Sequence, residues 1–178
     1  GDLEKFVADA DADVGIAHDG DADRIVVRDG DGDIVHEDTV VAILAGYYTR
    51  RHSSGDGETD DDPVVVTTPN ASARIDEAVA AAGGRVERVR LGALHEGVAA
   101  AREAGDAGTD VVFAAEPWKH VHVGFGEWID SVVSAAVLAG LVADVGLDTL
   151  SEPVRERPYR KESVRCPDDE KSAVMEHL

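Results

Sequence analysis

An apolar segment at residues 14–17 runs directly into a loop that carries three alternating aspartates and an arginine. A buried strand that ends here directs the three carboxylates into one small volume. Carboxylates that lie this close repel one another unless a cation sits between them. Oxygen ligands select a hard ion such as Mg²⁺ or Ca²⁺ over zinc. The sequence therefore predicts a site for a hard divalent ion, with the ligands Asp19, Asp21 and Asp23.

Two other kinds of aspartate-rich loop fit the sequence less well. An EF-hand calcium loop has glycine at its sixth position and glutamate at its twelfth. Counting from Asp19 places Arg24 and Gly30 at these positions, and counting from Asp29 fails in the same way. A haloacid-dehalogenase-type phosphatase also has Asp-x-Asp after an apolar strand. That class requires Thr or Val two residues further on, where this chain has Asp23.

The order of apolar segments predicts the α/β class, with two three-layer α/β/α units built on mainly parallel, mixed sheets. Strands that alternate with helices at short spacing are typical of parallel sheets. The Asp-Gly pairs at residues 29–32 predict a hairpin turn. The predicted strands are residues 14–17, 25–28, 33–36, 63–67, 85–89, 110–114 and 159–165. The predicted helices are residues 2–11, 39–51, one that starts at Asn70 or Ser72 and ends near residues 83–84, 94–103, 129–145 and a last one that follows the break at residues 166–169 and runs to Leu178.

Composition divides the chain into segments. Residues 53–62 contain no apolar side chain and predict a solvated acidic linker. Residues 1–52 then form a unit that contains the aspartate loop, and residues 63–150 form a second α/β unit. Residues 151–178 predict a connector and the start of a truncated C-terminal domain.

The aspartate loop and a later polar loop resemble those of the α-D-phosphohexomutases, the phosphoglucomutase/phosphomannomutase superfamily. Asp-Gly-Asp-Ala-Asp-Arg at residues 19–24 matches the family's metal loop residue for residue. Glu116 and His120 match the family's sugar-binding loop, which has the form Gly-Glu-x-Ser-Gly-His. Trp118 and Lys119 stand where Ser and Gly are usual in that loop.

The resemblance implies an enzyme that interconverts hexose 1-phosphate and hexose 6-phosphate through a phosphoserine and Mg²⁺. The three aspartates would hold Mg²⁺, and Arg24 would act at the phosphate. A phosphorylated hexose is the implied partner. Glu116 can accept hydrogen bonds from two neighbouring hydroxyls, and Trp118 offers a flat apolar face to a sugar ring. Lys119 and His120 complete the implied substrate-binding group.

The resemblance covers most of the chain. Residues 1–52 are similar to the end of the family's second domain, residues 63–150 to its third, and residues 151–178 to the start of its fourth. The family's phosphoserine loop, Thr-Ala-Ser-His-Asn-Pro, and its phosphate clamp, Arg-x-Ser-Gly-Thr-Glu-Pro, have no counterpart in this sequence. We therefore expect the 178 residues alone to be inactive, with the missing flanking domains as their partners.

Two other functions stay open at this point. The departures at Trp118 and Lys119 favour a non-catalytic protein that binds a metal and a sugar phosphate. A weaker alternative is a phosphatase with Asp19 as its nucleophile. An acyl phosphate trapped on Asp19 would distinguish that enzyme from a mutase, whose covalent phosphate sits on serine.

The charge of the chain excludes some partners. The 37 acidic and 17 basic residues give a formal net charge of −20. This charge repels nucleic acid and anionic membrane surfaces, so neither is expected as a partner. The composition resembles that of cytoplasmic proteins from salt-loving microbes, in which salt screens self-repulsion. A single cysteine permits no internal disulfide, which agrees with a reducing, cytoplasmic location.

Two histidines lie next to the candidate residues. His18 directly precedes the aspartate loop, where it either supports the metal ligands or is incidental. His122 alternates with His120 in an extended run, which predicts a solvent-facing ring.

Overall fold

The computed structural model describes residues 1–53, 61–154 and 165–175. Most of the predicted linker, at residues 54–60, lies outside the described residues, and so does the predicted strand 159–165 except for Arg165. The elements in chain order are α1 (Asp2–Ala10), β1 (Val14–His18), β2 (Ile25–Asp29), β3 (Ile34–Val35), α2 (Glu37–Ser53), β4 (Asp62–Thr67), α3 (Arg74–Ala81), β5 (Arg85–Arg88), α4 (Leu94–Ala104), β6 (Thr109–Glu116), β7 (Lys119–Val121), α5 (Ser131–Val145), α6 (Leu147–Ser151) and α7 (Lys171–Met175).

The first sheet has the order β1-β2-β3 and is antiparallel throughout its described strands. A parallel pair needs a crossover of a dozen or more residues, and the connections here are much shorter. The six-residue aspartate loop joins β1 to β2, and the predicted Asp-Gly turn joins β2 to β3. Helix α1 packs closely on this sheet, because a Cβ at Gly15 would lie 2.2 Å from Val7 Cγ2.

The second sheet has the order β5-β4-β6-β7. Strand β4 lies between β5 and β6 and pairs with both in parallel, whereas β7 pairs with β6 in the antiparallel direction. The predicted α/β class is therefore confirmed, and this sheet is mainly parallel, as expected. The prediction of a mainly parallel sheet is wrong for the first unit, because its short connections permit only antiparallel pairing among the described strands. Side chains of β4 alternate between the two faces: Val64 and Val66 pack with α4, and Val65 packs with α2.

Strand β7 is absent from the sequence-based prediction, which has a loop at this position. A two-residue turn at Pro117 and Trp118 joins β6 to β7, with Glu116 opposite Lys119. Trp118 has a φ of 66°. The turns that favour such hairpins usually place Gly, Asn or Asp at positive φ. The turn residues of this hairpin therefore give no local signal.

Helix α2 lies between the two sheets and is buried on all sides over residues 38–46. Its side chains share one apolar core with Ile25 and Val27 of β2, Phe113 of β6 and Leu138 of α5. The prediction of one buried face on this helix is too narrow, because α2 has a sheet or a helix on every side. The core thus joins the first sheet to the second. Among the described helices, none combines the length and the apolar character that crossing a lipid bilayer requires.

Candidate functional site

The aspartate loop folds as a tight connection between two antiparallel strands. Asp19 directly follows the last residue of β1, and Arg24 directly precedes β2. The Ala22 amide donates to the Asp19 carbonyl oxygen at 3.2 Å, and Ala22 has a φ of 56°. This turn brings one carboxylate oxygen from each of Asp19, Asp21 and Asp23 within 4.8 Å of the others. The structure therefore gathers the three predicted metal ligands.

The geometry of the cluster fits a small divalent ion. Mg²⁺ binds oxygen at about 2.1 Å, so two of its ligands lie at most about 4.2 Å apart. The observed limit of 4.8 Å requires only a small contraction of the loop. All three aspartates keep some exposed surface: Asp21 is exposed, whereas Asp19 and Asp23 are half-buried. The donor set is made of hard oxygen atoms, as Mg²⁺ prefers.

Arg24 neutralises part of the charge of the cluster. Its backbone amide donates to Asp19 Oδ1 at 3.2 Å, and its Nε donates to Asp19 Oδ2 at 2.5 Å. The same Nε lies 3.4 Å from Asp23 Oδ1. Desolvation opposes ionisation of Asp19, but the hydrogen bonds from Arg24 outweigh it and hold the pKa of Asp19 below its ordinary value. Asp19 thus stays ionised and able to bind a cation.

Lys119 reaches the same cluster from the second sheet. Its Nζ donates to Asp23 Oδ2 at 2.5 Å, and the hydrogen bond raises the pKa of Lys119 above its usual value. A backbone hydrogen bond of 3.2 Å from the Ile25 amide to the Trp118 carbonyl oxygen fixes the two loops side by side. The aspartate loop and the β6–β7 turn, 96 residues apart at this contact, therefore form one site.

Ser131, the first residue of α5, holds the aspartate loop from behind. Its hydroxyl is fully buried and lies 2.6 Å from the Ala22 carbonyl oxygen and 3.0 Å from that of Arg24. Its backbone amide also donates to Ala22, at 3.2 Å. His18 Nδ1 lies 2.8 Å from the same hydroxyl. Ser131 is a positioning residue that the sequence analysis missed, and His18 supports the loop through it.

The N-terminus of α5 is itself held in place by its cap. Asp130 Oδ1 accepts hydrogen bonds from the amides of Val132 at 2.9 Å and Val133 at 3.1 Å. This is the usual function of an aspartate before a helix. The only sequence signal for the support of the aspartate loop by α5 is a helix-capping aspartate followed by a serine, and such a pair is common at helix starts.

Trp118 lines the cleft in front of the aspartate loop, and Glu116 lies two residues before it, at the end of β6. Glu116 Oε1 accepts a hydrogen bond of 2.6 Å from the amide of Gly92, which has a φ of 80°. This contact orients the carboxylate. Trp118 is 37% exposed and lines an open cleft of about 360 Å³. The other lining residues come from β1, the aspartate loop and β2: Ala17, His18, Asp19, Arg24 and Val26.

His120 does not reach this cleft with any exposed surface. Its side chain is fully buried, with Nδ1 at 2.8 Å from Ser134 Oγ. Burial lowers the pKa of His120 to about 3. The structure thus places His120 in the interior, where it ties β7 to α5, and not among the groups that face a ligand. The predicted site residues that the structure brings together are Asp19, Asp21, Asp23, Arg24, Glu116, Trp118 and Lys119.

The prediction of a solvent-facing His122 is wrong. The ring is 1% exposed and lies against Tyr48 and Phe113. Its Nε2 lies 2.7 Å from Ser134 Oγ, and its Nδ1 lies 2.8 Å from the Tyr48 hydroxyl. Both His120 and His122 face inward because α2 and α5 cover that side of β7.

Comparison with known proteins agrees with this arrangement. The family model described as phosphoglucomutase/phosphomannomutase, alpha/beta/alpha domain III, matches residues 36–160. A phosphopentomutase of Thermococcus kodakarensis is 42% identical over 176 residues, which cover 97% of this chain and 35% of that protein. A probable phosphoglucosamine mutase of Pyrococcus abyssi is 33% identical over 189 residues, covering 99% of this chain and 36% of that protein. The chain thus spans about a third of the length of these relatives.

Solved structures show the same fold at low sequence identity. A phosphoglucomutase/phosphomannomutase family protein of Burkholderia thailandensis superposes with a TM-score of 0.70 at 20% identity, over 88% of this chain and 32% of that one. A protein described as a putative phosphomannomutase from Thermus thermophilus gives a TM-score of 0.69 at 18% identity, over 86% of this chain and 33% of that one.

Proposed function

The chain belongs to the phosphoglucomutase/phosphomannomutase family, and we propose that it forms the metal-binding and sugar-binding part of a phosphosugar mutase. The proposed reaction transfers a phosphoryl group between the 1- and 6-hydroxyls of a hexose through a phosphoserine of the whole enzyme. One observation carries the proposal: Lys119 at the β6–β7 turn contacts Asp23, so this turn lies directly beside the three aspartates.

The aspartate loop is the proposed Mg²⁺ site. When bound, Mg²⁺ neutralises negative charge that develops on the phosphoryl group during its transfer. Asp19, Asp21 and Asp23 supply the carboxylate ligands. Arg24 contacts the aspartates through Nε, and its side chain is 59% exposed. The terminal nitrogens of the guanidinium then bind a phosphoryl oxygen, a geometry that arginine favours.

The sugar binds in the cleft that Trp118 lines. Glu116, held by the Gly92 amide, accepts hydrogen bonds from sugar hydroxyls, and the indole of Trp118 packs on the apolar face of the ring. Recognition of hydroxyls rather than of one end of the sugar permits the ring to bind in two orientations, as the transfer in both directions requires. His120 acts from the interior, by fixing β7 to α5.

A pentose phosphate is the second candidate substrate. The relative from Thermococcus kodakarensis, 42% identical, is named a phosphopentomutase. Trp118 also supports this alternative, since an indole at the position of a small residue reduces the space for a sugar. The chemistry of the transfer is the same for either sugar, so the two candidates differ only in the fit of the ring.

Calorimetric titration with Mg²⁺ tests the metal site directly. We expect the unchanged chain to bind Mg²⁺, and the Asp19→Asn variant to bind at least about tenfold more weakly, since ligand charge sets the affinity of such sites. Asp144→Asn removes the same charge from the exposed surface of α5, thirteen residues or about 20 Å along the helix from Ser131. Equal affinities for the Asp19 and Asp144 variants would refute the proposed metal site.

Fluorescence titration tests the sugar site. The chain has two tryptophans, so Trp128→Phe leaves Trp118 as the sole indole reporter. Glucose 1-phosphate and ribose 1-phosphate are titrated with and without Mg²⁺, and the tighter ligand identifies the sugar class. A signal that responds to neither sugar phosphate would contradict the proposal. We expect no mutase turnover by these residues alone, because they contain no Thr-Ala-Ser-His-Asn-Pro loop.

A further inference from the structure

The side-chain ammonium group of a lysine in this chain lies against one of the candidate metal ligands. Lys119 Nζ is 2.5 Å from Asp23 Oδ2, and Arg24 Nε is 3.4 Å from the other oxygen of the same carboxylate. Both oxygens of Asp23 therefore contact a cation that belongs to the chain. Resting on the proposed function, we infer that Lys119 is a resident counter-ion which Mg²⁺ displaces from Asp23, so that metal binding delivers the ammonium group to the sugar-phosphate cleft.

The displacement follows from distance and charge. An Asp23 oxygen that binds Mg²⁺ brings two positive charges to about 2.1 Å from the carboxylate, close to where the ammonium now lies. Like charges at such a separation repel, and each weakens the binding of the other to the shared carboxylate. The aspartate cluster can hold the lysine or the metal at full strength, but not both.

Lys119 is the cation that can move. Its side chain is 33% exposed and ends a flexible four-carbon stem, so it can leave Asp23 without any change in β7. Arg24 is different, because its backbone amide and its Nε both bind Asp19. The cleft beside Trp118 is the adjacent open space, since it is lined by Asp19 and Arg24 as well.

The exchange reverses the charge that a ligand meets. Three ionised aspartates with Arg24 and Lys119 carry one net negative charge, which disfavours a phosphate monoester. Bound Mg²⁺ changes this to one net positive charge, and the released ammonium adds a donor for a phosphoryl oxygen. Bound Mg²⁺ thus increases the affinity for a sugar phosphate that contacts Lys119, and by linkage that sugar phosphate increases the affinity for Mg²⁺ by the same factor. Lys119 therefore makes the two ligands bind cooperatively.

The affinity of Lys119 variants for Mg²⁺ tests the inference by its sign. Calorimetry in dilute buffer should show that Lys119→Met binds Mg²⁺ about five- to tenfold more tightly, as expected for loss of one charge about 5 Å from a divalent ion in partly screened water. Lys119→Arg retains the charge and should stay within about twofold of the unchanged chain. Arg102→Ala removes one charge from the remote pair with Glu127 and serves as the control.

Each outcome has a distinct reading. Unchanged or weaker Mg²⁺ binding by Lys119→Met would overturn the inference, because a lysine that merely holds the loop together weakens the site when it is lost. If the unchanged chain and Lys119→Met both fail to bind Mg²⁺, then the metal site of the proposed function fails as well. Binding by Lys119→Met alone supports the inference in its strongest form.

Chemical labelling supplies a second measurement. The chain has four lysines, so mass spectrometry can follow the acetylation rate of each one. We expect Mg²⁺ to increase the rate at Lys119 and to leave Lys5 and Lys171 unchanged. In Asp19→Asn, which weakens the metal site, the increase at Lys119 should disappear. A rate at Lys119 that is insensitive to saturating Mg²⁺ would show that the lysine stays on Asp23.

Discussion

The buried pair His120 and His122 makes stability depend on pH. Ser134 Oγ lies 2.8 Å from His120 Nδ1 and 2.7 Å from His122 Nε2, and the Tyr48 hydroxyl lies 2.8 Å from His122 Nδ1. Burial raises the pKa of Tyr48 to about 12, so its hydroxyl stays protonated and donates. A series of hydrogen bonds between neutral groups then connects Tyr48 to His122, His122 to Ser134, and Ser134 to His120. Protonation of either ring would interrupt it.

The magnitude follows from the difference between folded and unfolded states. Burial lowers the pKa of His120 to about 3 and that of His122 to about 4. An unfolded histidine has a pKa near 6.5, and each unit of pKa difference between the folded and the unfolded state corresponds to about 1.4 kcal/mol. The pair's contribution is therefore complete above pH of about 6.5 and decreases as the pH falls below it. As the pH falls from 7.5 to 5, the two rings together lower the free energy of unfolding by about 4 kcal/mol. That is a large share of the ~5–15 kcal/mol that stabilises a typical domain.

Urea unfolding at these two pH values measures the effect. His120→Asn keeps a hydrogen-bonding group near Ser134 but does not titrate, so we expect the pH-dependent loss to fall to about 2 kcal/mol. His95→Asn alters an exposed histidine on α4 and should leave the loss near 4 kcal/mol. The comparison uses the pH difference within each variant, so any cavity made by the substitution cancels. An equal pH-dependent loss in His120→Asn and the unchanged chain would refute the reasoning.

Two further predictions concern, first, the packing of helix glycines and, second, the support of the aspartate loop. Gly97→Ala should lower the free energy of unfolding by about 1–3 kcal/mol, because its Cβ would lie 2.5 Å from Val89 Cγ1 and 2.9 Å from Val66 Cγ1. The matched Gly140→Ala has no atom within 4 Å of the new Cβ and should raise it by about 0.5–1 kcal/mol; equal shifts in thermal unfolding would contradict the pair. Ser131→Ala removes the hydroxyl behind the aspartate loop and should cost about 1–3 kcal/mol and weaken Mg²⁺ binding. Calorimetry that finds unchanged Mg²⁺ affinity for this variant would rule out its positioning role.

The elements that the sequence predicted are those with local signals. Alternation of apolar segments predicted the strands β4, β5 and β6 and the helices between them, and the Asp-Gly turn predicted the hairpin of β2 and β3. The three aspartates were also a local signal, because their spacing in one short loop already limits how far apart they can lie. For these features, residues a few positions apart contain the necessary information.

The features that the sequence did not predict depend on distant residues. Strand β7 forms because β6 offers an edge to pair with, although its turn contains Pro117 and Trp118 and no glycine. His122 is polar and alternates with its neighbours, yet it is buried because Tyr48 and Ser134 supply hydrogen-bond partners. Ser131 supports the aspartate loop across 109 residues. None of these partners is recognisable from the sequence around the residue itself.

Lys119 shows how a departure from a family pattern gains a physical interpretation. In the sequence, a lysine in place of the usual glycine weakened the match to the sugar-binding loop. In the structure, the positive φ of Trp118 turns the chain so that the lysine side chain reaches Asp23, 96 residues earlier. A glycine here would leave three carboxylates with Arg24 as their nearby cation among the described residues, and the cluster would bind Mg²⁺ more tightly without a ligand. The lysine instead ties strong metal binding to the presence of a second anion, which is the property that the Mg²⁺ titrations of the Lys119 variants measure.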